Sequence, residues 1–487
     1  MPVEWPFAER IIELRGVGER KISAEDAARQ AETAKSILAD LRERPGVVLA
    51  DEVGLGKTYV AMAVAASVIL ATRPGDGPVV VMTPPALRAK WQRDWDQFRH
   101  HCVRNHALDW VRDEYAHTPT EFFKLLDDPP EERARLIFVT TGCFYRALQD
   151  PWVKLAMIRL ARSRTRLSET QKRRVYRWAP DLVRQVSNRK LSEDVIRRLL
   201  RTDVLEWKPI LVAEGILDEH SDDPVPDRLP RCADEINWTR LCEVFRDLPA
   251  WRPQFVNQER RNEIRNQFNK ACAAVYEQWL RLARWRSPLL ILDEAHHAKN
   301  DTTRLARLFR ETTEQDVALL KGKFDRMLFL TATPFQLGHH ELIRVLRSFE
   351  AVRWSSGEGP AGTCEDFEAK IDELEKALDE HRLASRRFDR LWGKLRAEMI
   401  RDRLREDGGK PEGGLTPECV LEWWRRVERA PANHWEQELA QAFRECEKTK
   451  QKAEELLRPW IIRHNRSATL PGTDGIPRRN VLVGEAI

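Results

Sequence analysis

Two short stretches hold residues whose types and spacing suit phosphate chemistry. The first is ADEVGLGKT, residues 50–58. Gly54 and Gly56 leave the backbone free to curl its N–H groups around phosphate oxygens, and Lys57 can reach the β and γ oxygens of a nucleotide. Thr58 follows as a hydroxyl ligand for magnesium. The second stretch, LLILDEAHHAKN, residues 289–300, sets Asp293 and Glu294 directly after four apolar residues. Adjacent carboxylates can divide the work of hydrolysis between them. Asp293 would hold a magnesium ion through its water shell, and Glu294 would orient and polarise an attacking water. His296 and His297 invite a metal reading, but no further His or Cys stands at ligand spacing. His296 is read instead as coupling the nucleotide site to the next motif, and His297 as non-catalytic.

These residues need a frame that brings them together. Val47 to Ala50 reads as a short buried strand running into the glycine loop, and Thr58 to Ala71 as a helix buried against a sheet. Further strands are expected at Val79 to Met82, Leu136 to Thr140, Leu289 to Leu292 and Met327 to Leu330. Short apolar strands separated by helical stretches predict an α/β fold, a parallel sheet with helices on both faces. In such a sheet, ligands gather beyond the carboxyl ends of the strands, where both motifs fall.

The βα alternation stops for the 140 residues from Gln149 to Pro288, which are rich in Arg, Trp and Leu at helical spacing. A large helical insertion is expected there. From Trp152 to Arg201 it carries fifteen Lys/Arg against four Asp/Glu, including the run QKRRVYRW with Arg173 and Arg174. Two readings stand open. The run could neutralise phosphates and stack on bases, or the segment could pair internally with Asp203 to Asp247, which holds twelve Asp/Glu against five Lys/Arg. Beyond Phe335 a C-terminal extension is expected, with one long helix over Glu365 to Arg405, a Gly/Pro-rich break, and a helical stretch from Glu418 to Leu457. Packing on the sheet or on a protein partner suits it better than catalysis.

Composition bounds the rest. The 487 residues, 42% hydrophobic, suffice for two or three domains, and a net charge of +5 is too mild to argue for nucleic acid alone. Eight scattered cysteines without a CxxC pair argue against a zinc ribbon or redox motif and fit a cytoplasmic protein. The first residues, MPVEWPFAER, lack a secretory signal. The longest apolar run, Val60 to Ala71, is shorter than the roughly 20 residues of a membrane span, so no membrane partner is expected.

The phosphate loop departs from GxxxxGK[ST] in having Asp51 at its first glycine. This DE-hydrophobic-GLGKT form resembles the Swi/Snf-type ATPases of helicase superfamily two. VVVMTPPALRAKWQRDWDQF is similar to their motif Ia, with Pro84, Trp91 and Phe98; LIFVTTGCFYRAL resembles the strand and turn that follow it; LFLTATPFQLG looks like motif III; and LRPWIIRHNR resembles the connector out of the first lobe. The TATP-x-QLG form lies nearest the bacterial RNA-polymerase-associated branch.

The resemblance implies a RecA-like, P-loop NTPase lobe using ATP and Mg2+. In it Gln30, 27 residues before Lys57, would read adenine; Asp51, Gly54, Leu55, Gly56, Lys57 and Thr58 would cradle the nucleotide. His296, Thr331, Thr333 and Gln336 would couple nucleotide state to the track. Pro84, Lys90, Thr140 and Thr141 would touch nucleic acid, expected to be double-stranded DNA. The implied division is 1–148 for the first part of the lobe, 149–288 for the insertion, 289–350 for the second part, 351–457 for the helical extension, and 458–487 for the connector and the start of a second lobe. Since that lobe supplies arginines in the family, weak hydrolysis is expected of the first lobe alone. A strand-separating helicase and a non-hydrolytic ATP-binding scaffold are the rival readings.

Overall fold

The computed structural model describes residues 4–15, 22–52, 54–183, 192–298, 304–310, 318–331, 339–354, 359–406 and 415–463. Its centre is a parallel sheet of seven strands: β1 (Gly46–Leu49), β2 (Val79–Thr83), β3 (Asp113–Ala116), β4 (Leu136–Thr140), β5 (Ser287–Leu292), β6 (Phe324–Leu330) and β7 (Ile461–Ile462). The order across the sheet is β3-β4-β2-β5-β6-β1-β7, with every pairing parallel. This is the α/β arrangement the strand pattern predicts and the RecA-like one the resemblance implies, with β6 separating the strands that carry the two motifs.

Alternation along each strand divides the core into two layers. Val47 and Leu49 face one side with Val79, Val81, Leu289, Ile291, Leu328 and Leu330, under the helices α1 (Ala24–Glu43), α2 (Lys57–Ala71) and α3 (Arg88–Cys102). Val48, Val80, Met82, Leu290, Leu292, Met327 and Phe329 face the other. On that second face the residues 149–286 are helical throughout their described elements, from Pro151–Arg164 to Gln258–Leu282, and Ser287 and Pro288 already open β5. Their tryptophans Trp178, Trp207 and Trp279 belong to the same continuous apolar core as the sheet. The block is therefore the cover of one sheet face.

The edge strand β3, DEYA, is not among the expected strands, because two charged residues hide it from a search for apolar runs, as suits an edge. Strand β6 begins three residues earlier than its apolar stretch suggests. Arg326, fully buried, donates to the Leu41, Arg42 and Gly359 carbonyls and so caps the end of α1. Asp325 beside it pairs with Arg286 at 2.7 Å and Arg353 at 3.1 Å.

Two expected helices are broken. Glu365 to Arg405 is two helices, Cys364–Trp392 and Ala397–Glu406, parted at Gly393. The stretch from Glu418 to Leu457 divides into Pro417–Arg429 and His434–Leu457 around Pro431. Cys364–Trp392 and His434–Leu457 run antiparallel, joined by Lys452–Glu380 at 2.9 Å and Arg387–Glu445 at 3.1 Å. The far end of this arm has its own small core, with Trp423 fully buried among Leu391, Leu404, Val427 and Leu439. Among the described residues no helix is long and apolar enough to cross a membrane.

Candidate nucleotide site

The phosphate loop joins β1 to α2, and its two glycines make the turn possible. Gly54 and Gly56 have φ of 87° and 86°, a left-handed conformation that other residues adopt only under strain. Helix α2 starts at Lys57, so its unpaired first-turn N–H groups open onto the loop. The Lys57 ammonium donates to the Asp51 carbonyl at 2.5 Å and the Glu52 carbonyl at 3.1 Å, folding back across its own loop. Thr58 lies half-buried on the first turn of α2.

Gln30 is not an exposed helix residue. It is buried on α1, and its amide donates to the Leu55 carbonyl at 3.2 Å. A Cβ on Gly56 would come within 2.2 Å of that amide nitrogen, so Gln30 fills the space behind the glycine. Arg29 joins the site without belonging to any of the sequence motifs. It donates to the same carbonyl at 3.0 Å and lies 3.8 Å from the buried Asp51 carboxylate, bracing the loop from behind. Its position beside Gln30 in an amphipathic helix is the one sequence signal that points to it.

The carboxylates stand on the same edge of the sheet. With β6 between β1 and β5, the two loops start about 10 Å apart, two strand spacings, which leaves room for a polyphosphate between them. Asp293 continues the ladder by donating its N–H to the Met82 carbonyl at 2.9 Å. One carboxylate oxygen accepts from the Glu294 N–H at 3.0 Å, and the other from the buried Trp91 indole at 2.7 Å. The plane of the carboxylate is thus fixed from both sides. In the sequence Trp91 stands out only for its resemblance to motif Ia; its proximity to Asp293, 202 positions away, is a product of the fold.

Glu294 has a φ of 53°, a strained value for a side chain of its size. His296 Nδ1 lies 3.1 Å from its carboxylate and 3.5 Å from the Thr331 hydroxyl at the end of β6. The Thr331 N–H donates to the Leu49 carbonyl at 3.1 Å, on the strand that feeds the phosphate loop. A chain of contacts therefore runs Glu294, His296, Thr331, β1. Thr333 and Gln336 lie outside the described residues, as do the connector beyond Arg463 and the His297 side chain.

Pro84, Thr140 and Thr141 converge where β2 and β4 end: Thr83 and Thr140 are in register, and the Thr141 N–H donates to the Thr83 carbonyl at 3.0 Å. Thr140 itself is buried, while Lys90 is exposed on the first turn of α3. Arg173 and Arg174 are elsewhere, on the helix Glu169–Val183, which packs among the other helices of the block. Arg173 is exposed, whereas Arg174 donates to the Leu248 carbonyl at 3.2 Å. Tyr176 lies against Arg162, and Arg164 pairs with Asp234 at 2.6 Å. Of these contacts, Arg164–Asp234 is an ion pair with the acidic stretch, Arg174 bonds a carbonyl just beyond it, and Arg173 is exposed.

No family model and no curated protein matches the chain. Among solved structures, the Sulfolobus solfataricus SWI2/SNF2 ATPase core in complex with dsDNA is matched over 88% of this chain and 64% of that one, at 11% identity and a TM-score of 0.28. This chain thus spans 64% of the length of that structure.

Proposed function

We propose that the chain binds ATP with Mg2+ at the carboxyl edge of its sheet and works as the ATP-binding lobe of a nucleic-acid motor of the Swi/Snf type, acting on double-stranded DNA. The observation that carries this reading is the pair of left-handed glycines at the start of α2, two strands from Asp293 and Glu294 on the same edge. The glycine cradle and the hard-oxygen donor set fit the group: Thr58 and Asp293 would hold the magnesium ion, which neutralises charge on the β and γ oxygens when bound.

The chain's own residues do the rest. Lys57 exchanges its two loop carbonyls for phosphate oxygens. Glu294, held next to His296, orients water for in-line attack on the terminal phosphorus. His296 and Thr331 report the state of that carboxylate to β1 and to the segment that carries Thr333 and Gln336. Phosphoryl transfer relies on such positioning more than on covalent chemistry. The DEVGLGKT and TATP-x-QLG forms support translocation on duplex DNA over strand separation, and the second supports the bacterial RNA-polymerase-associated branch.

The test is nucleotide binding and hydrolysis by the full chain, with and without duplex DNA. Saturable Mg2+-ATP binding lost in Lys57→Ala is expected, with weak hydrolysis that is lost in Glu294→Gln; brisk, DNA-stimulated turnover by this chain alone would refute its being one lobe of a two-lobed motor. A chain that binds no ATP would overturn the reading.

A further inference from the structure

The helix His339–Arg347 opens with two histidines that lie against the arm helix Cys364–Trp392. His339 Nε2 is 2.9 Å from Asp379 Oδ1, and His340 Nε2 is 4.0 Å from the same oxygen. One turn earlier on the arm, Glu375 Oε1 lies 3.6 Å from His340 Nδ1. One ligand atom from each of His339, His340 and Asp379 falls within 4.8 Å of the others.

Tetrahedral zinc with nitrogen and oxygen ligands at about 2.0–2.1 Å spaces those ligands about 3.3 Å apart. The observed separations bracket this value, so small side-chain rotations suffice to close the site. Two imidazoles with a carboxylate form a borderline donor set, suited to Zn2+ and too nitrogen-rich for Mg2+ or Ca2+. From this juxtaposition of His339, His340 and Asp379 on two helices, we propose a zinc site that clamps the start of the His339–Arg347 helix to the arm, with Glu375 on the other ring nitrogen of His340 to orient it.

The surroundings define its character. Arg382 lies 3.1 Å from Asp379 Oδ1, and Arg347 3.0 Å from Glu375 Oε2. A metal ion on Asp379 Oδ1 displaces Arg382 to the other carboxylate oxygen, while Arg347 remains on Glu375. That exchange weakens binding relative to a site without cations. The site is also open to water: the His340 and Asp379 side chains are 47% and 39% exposed. Both facts describe an exchangeable ion with water completing its coordination.

The clamp sits just after the segment of Thr333 and Gln336, so zinc would tie the arm to the part of the chain that couples Thr331 onward. This consequence rests on the proposed motor function; the site itself does not.

The experiment is titration of the full chain with Co2+ and Zn2+, followed by the visible absorption of tetrahedral cobalt, by calorimetry, and by Tm. Expected are one cobalt per chain with intense visible bands, displaced by zinc, and a zinc-dependent rise in Tm. His340→Ala and Asp379→Asn should each weaken zinc at least tenfold, with the Tm of the metal-free protein and the circular dichroism unchanged. His381→Ala, on the same helix but bonded to Thr449, should bind zinc as the parent does. Absence of zinc binding, or binding that survives in both His340→Ala and Asp379→Asn, would overturn the proposal. ATP binding is measured in parallel, and its loss in the parent chain would count against the motor function while leaving the metal result intact.

Discussion

Replacing Trp91 by Phe tests whether the indole orients the carboxylate proposed to hold magnesium. The ring is 2% exposed, and its N–H reaches Asp293 Oδ2 at 2.7 Å. A hydrogen bond to a charged acceptor contributes about 1.5–3 kcal/mol to stability, and Phe keeps most of the packing while removing the donor. Trp279→Phe supplies the control. Trp279 is fully buried, and its indole nitrogen has no acceptor among the described residues, so that variant loses ring volume alone. The difference in unfolding free energy between the two variants should be about 1.5–3 kcal/mol, read by denaturant titration. More telling is the metal dependence of nucleotide binding. With one of its two donors gone, the Asp293 carboxylate can rotate about the remaining Glu294 N–H, and loss of such outer-sphere support costs metal sites about 10- to 100-fold in affinity. The Mg2+ concentration that half-saturates binding of a fluorescent ATP analogue should rise by that factor in Trp91→Phe and stay unchanged in Trp279→Phe. Equal Mg2+ dependence in the two variants would refute the argument, whatever the stability shows.

Other outcomes follow from the same geometry. Gly56→Ala forces a left-handed φ on a side chain at about 1–2 kcal/mol and drives the Gln30 amide off the Leu55 carbonyl, so ATP affinity and Tm should both fall. Arg174→Glu should lower stability by losing its bond to the Leu248 carbonyl, and leave the salt dependence of DNA binding as it was; a slope reduced by about one would show a phosphate contact instead. Burial, and after it the Asp222 carboxylate, pushes Asp128 from the usual 3.8 up to about 6. The folded state therefore holds this proton more tightly than the unfolded chain, and stability declines as pH rises from 3.8 to about 6. Asp128→Asn should raise Tm at neutral pH and leave it unchanged below the usual carboxylate value, as a pH series of thermal melts will show.

Much of this was legible in the sequence because buried parallel strands are written as apolar runs: β1, β2 and β4 fall within a residue of the expected bounds. What escaped was polar. β3 carries Asp113 and Glu114 at a sheet edge, and β6 opens with a buried ion cluster at Asp325 and Arg326. The arm reads as longer helices because its charge pattern continues past Gly393 and Pro431, while the backbone does not. At the site, the loop glycines and the paired carboxylates are local patterns. The partners that hold them are not: Trp91 meets Asp293 across 202 positions, and Arg29 meets Leu55 across 26.

The placement of β1 has a bearing on how the protein comes into being. Its neighbours are β6 and β7, whose residues follow it by some 280 and 413 positions in register, and it makes no pairing with the strands that leave the ribosome soon after it. Non-local pairing of this kind slows folding. During synthesis the apolar segment Val47–Leu49 waits without a ladder until β6 arrives, exposed to wrong partners. Nucleotide cannot assist before then, since the acidic residues that face the loop are themselves late in the chain. Newly made protein should therefore depend on chaperones over that interval, and acquire ATP affinity only when the sheet closes around its first strand.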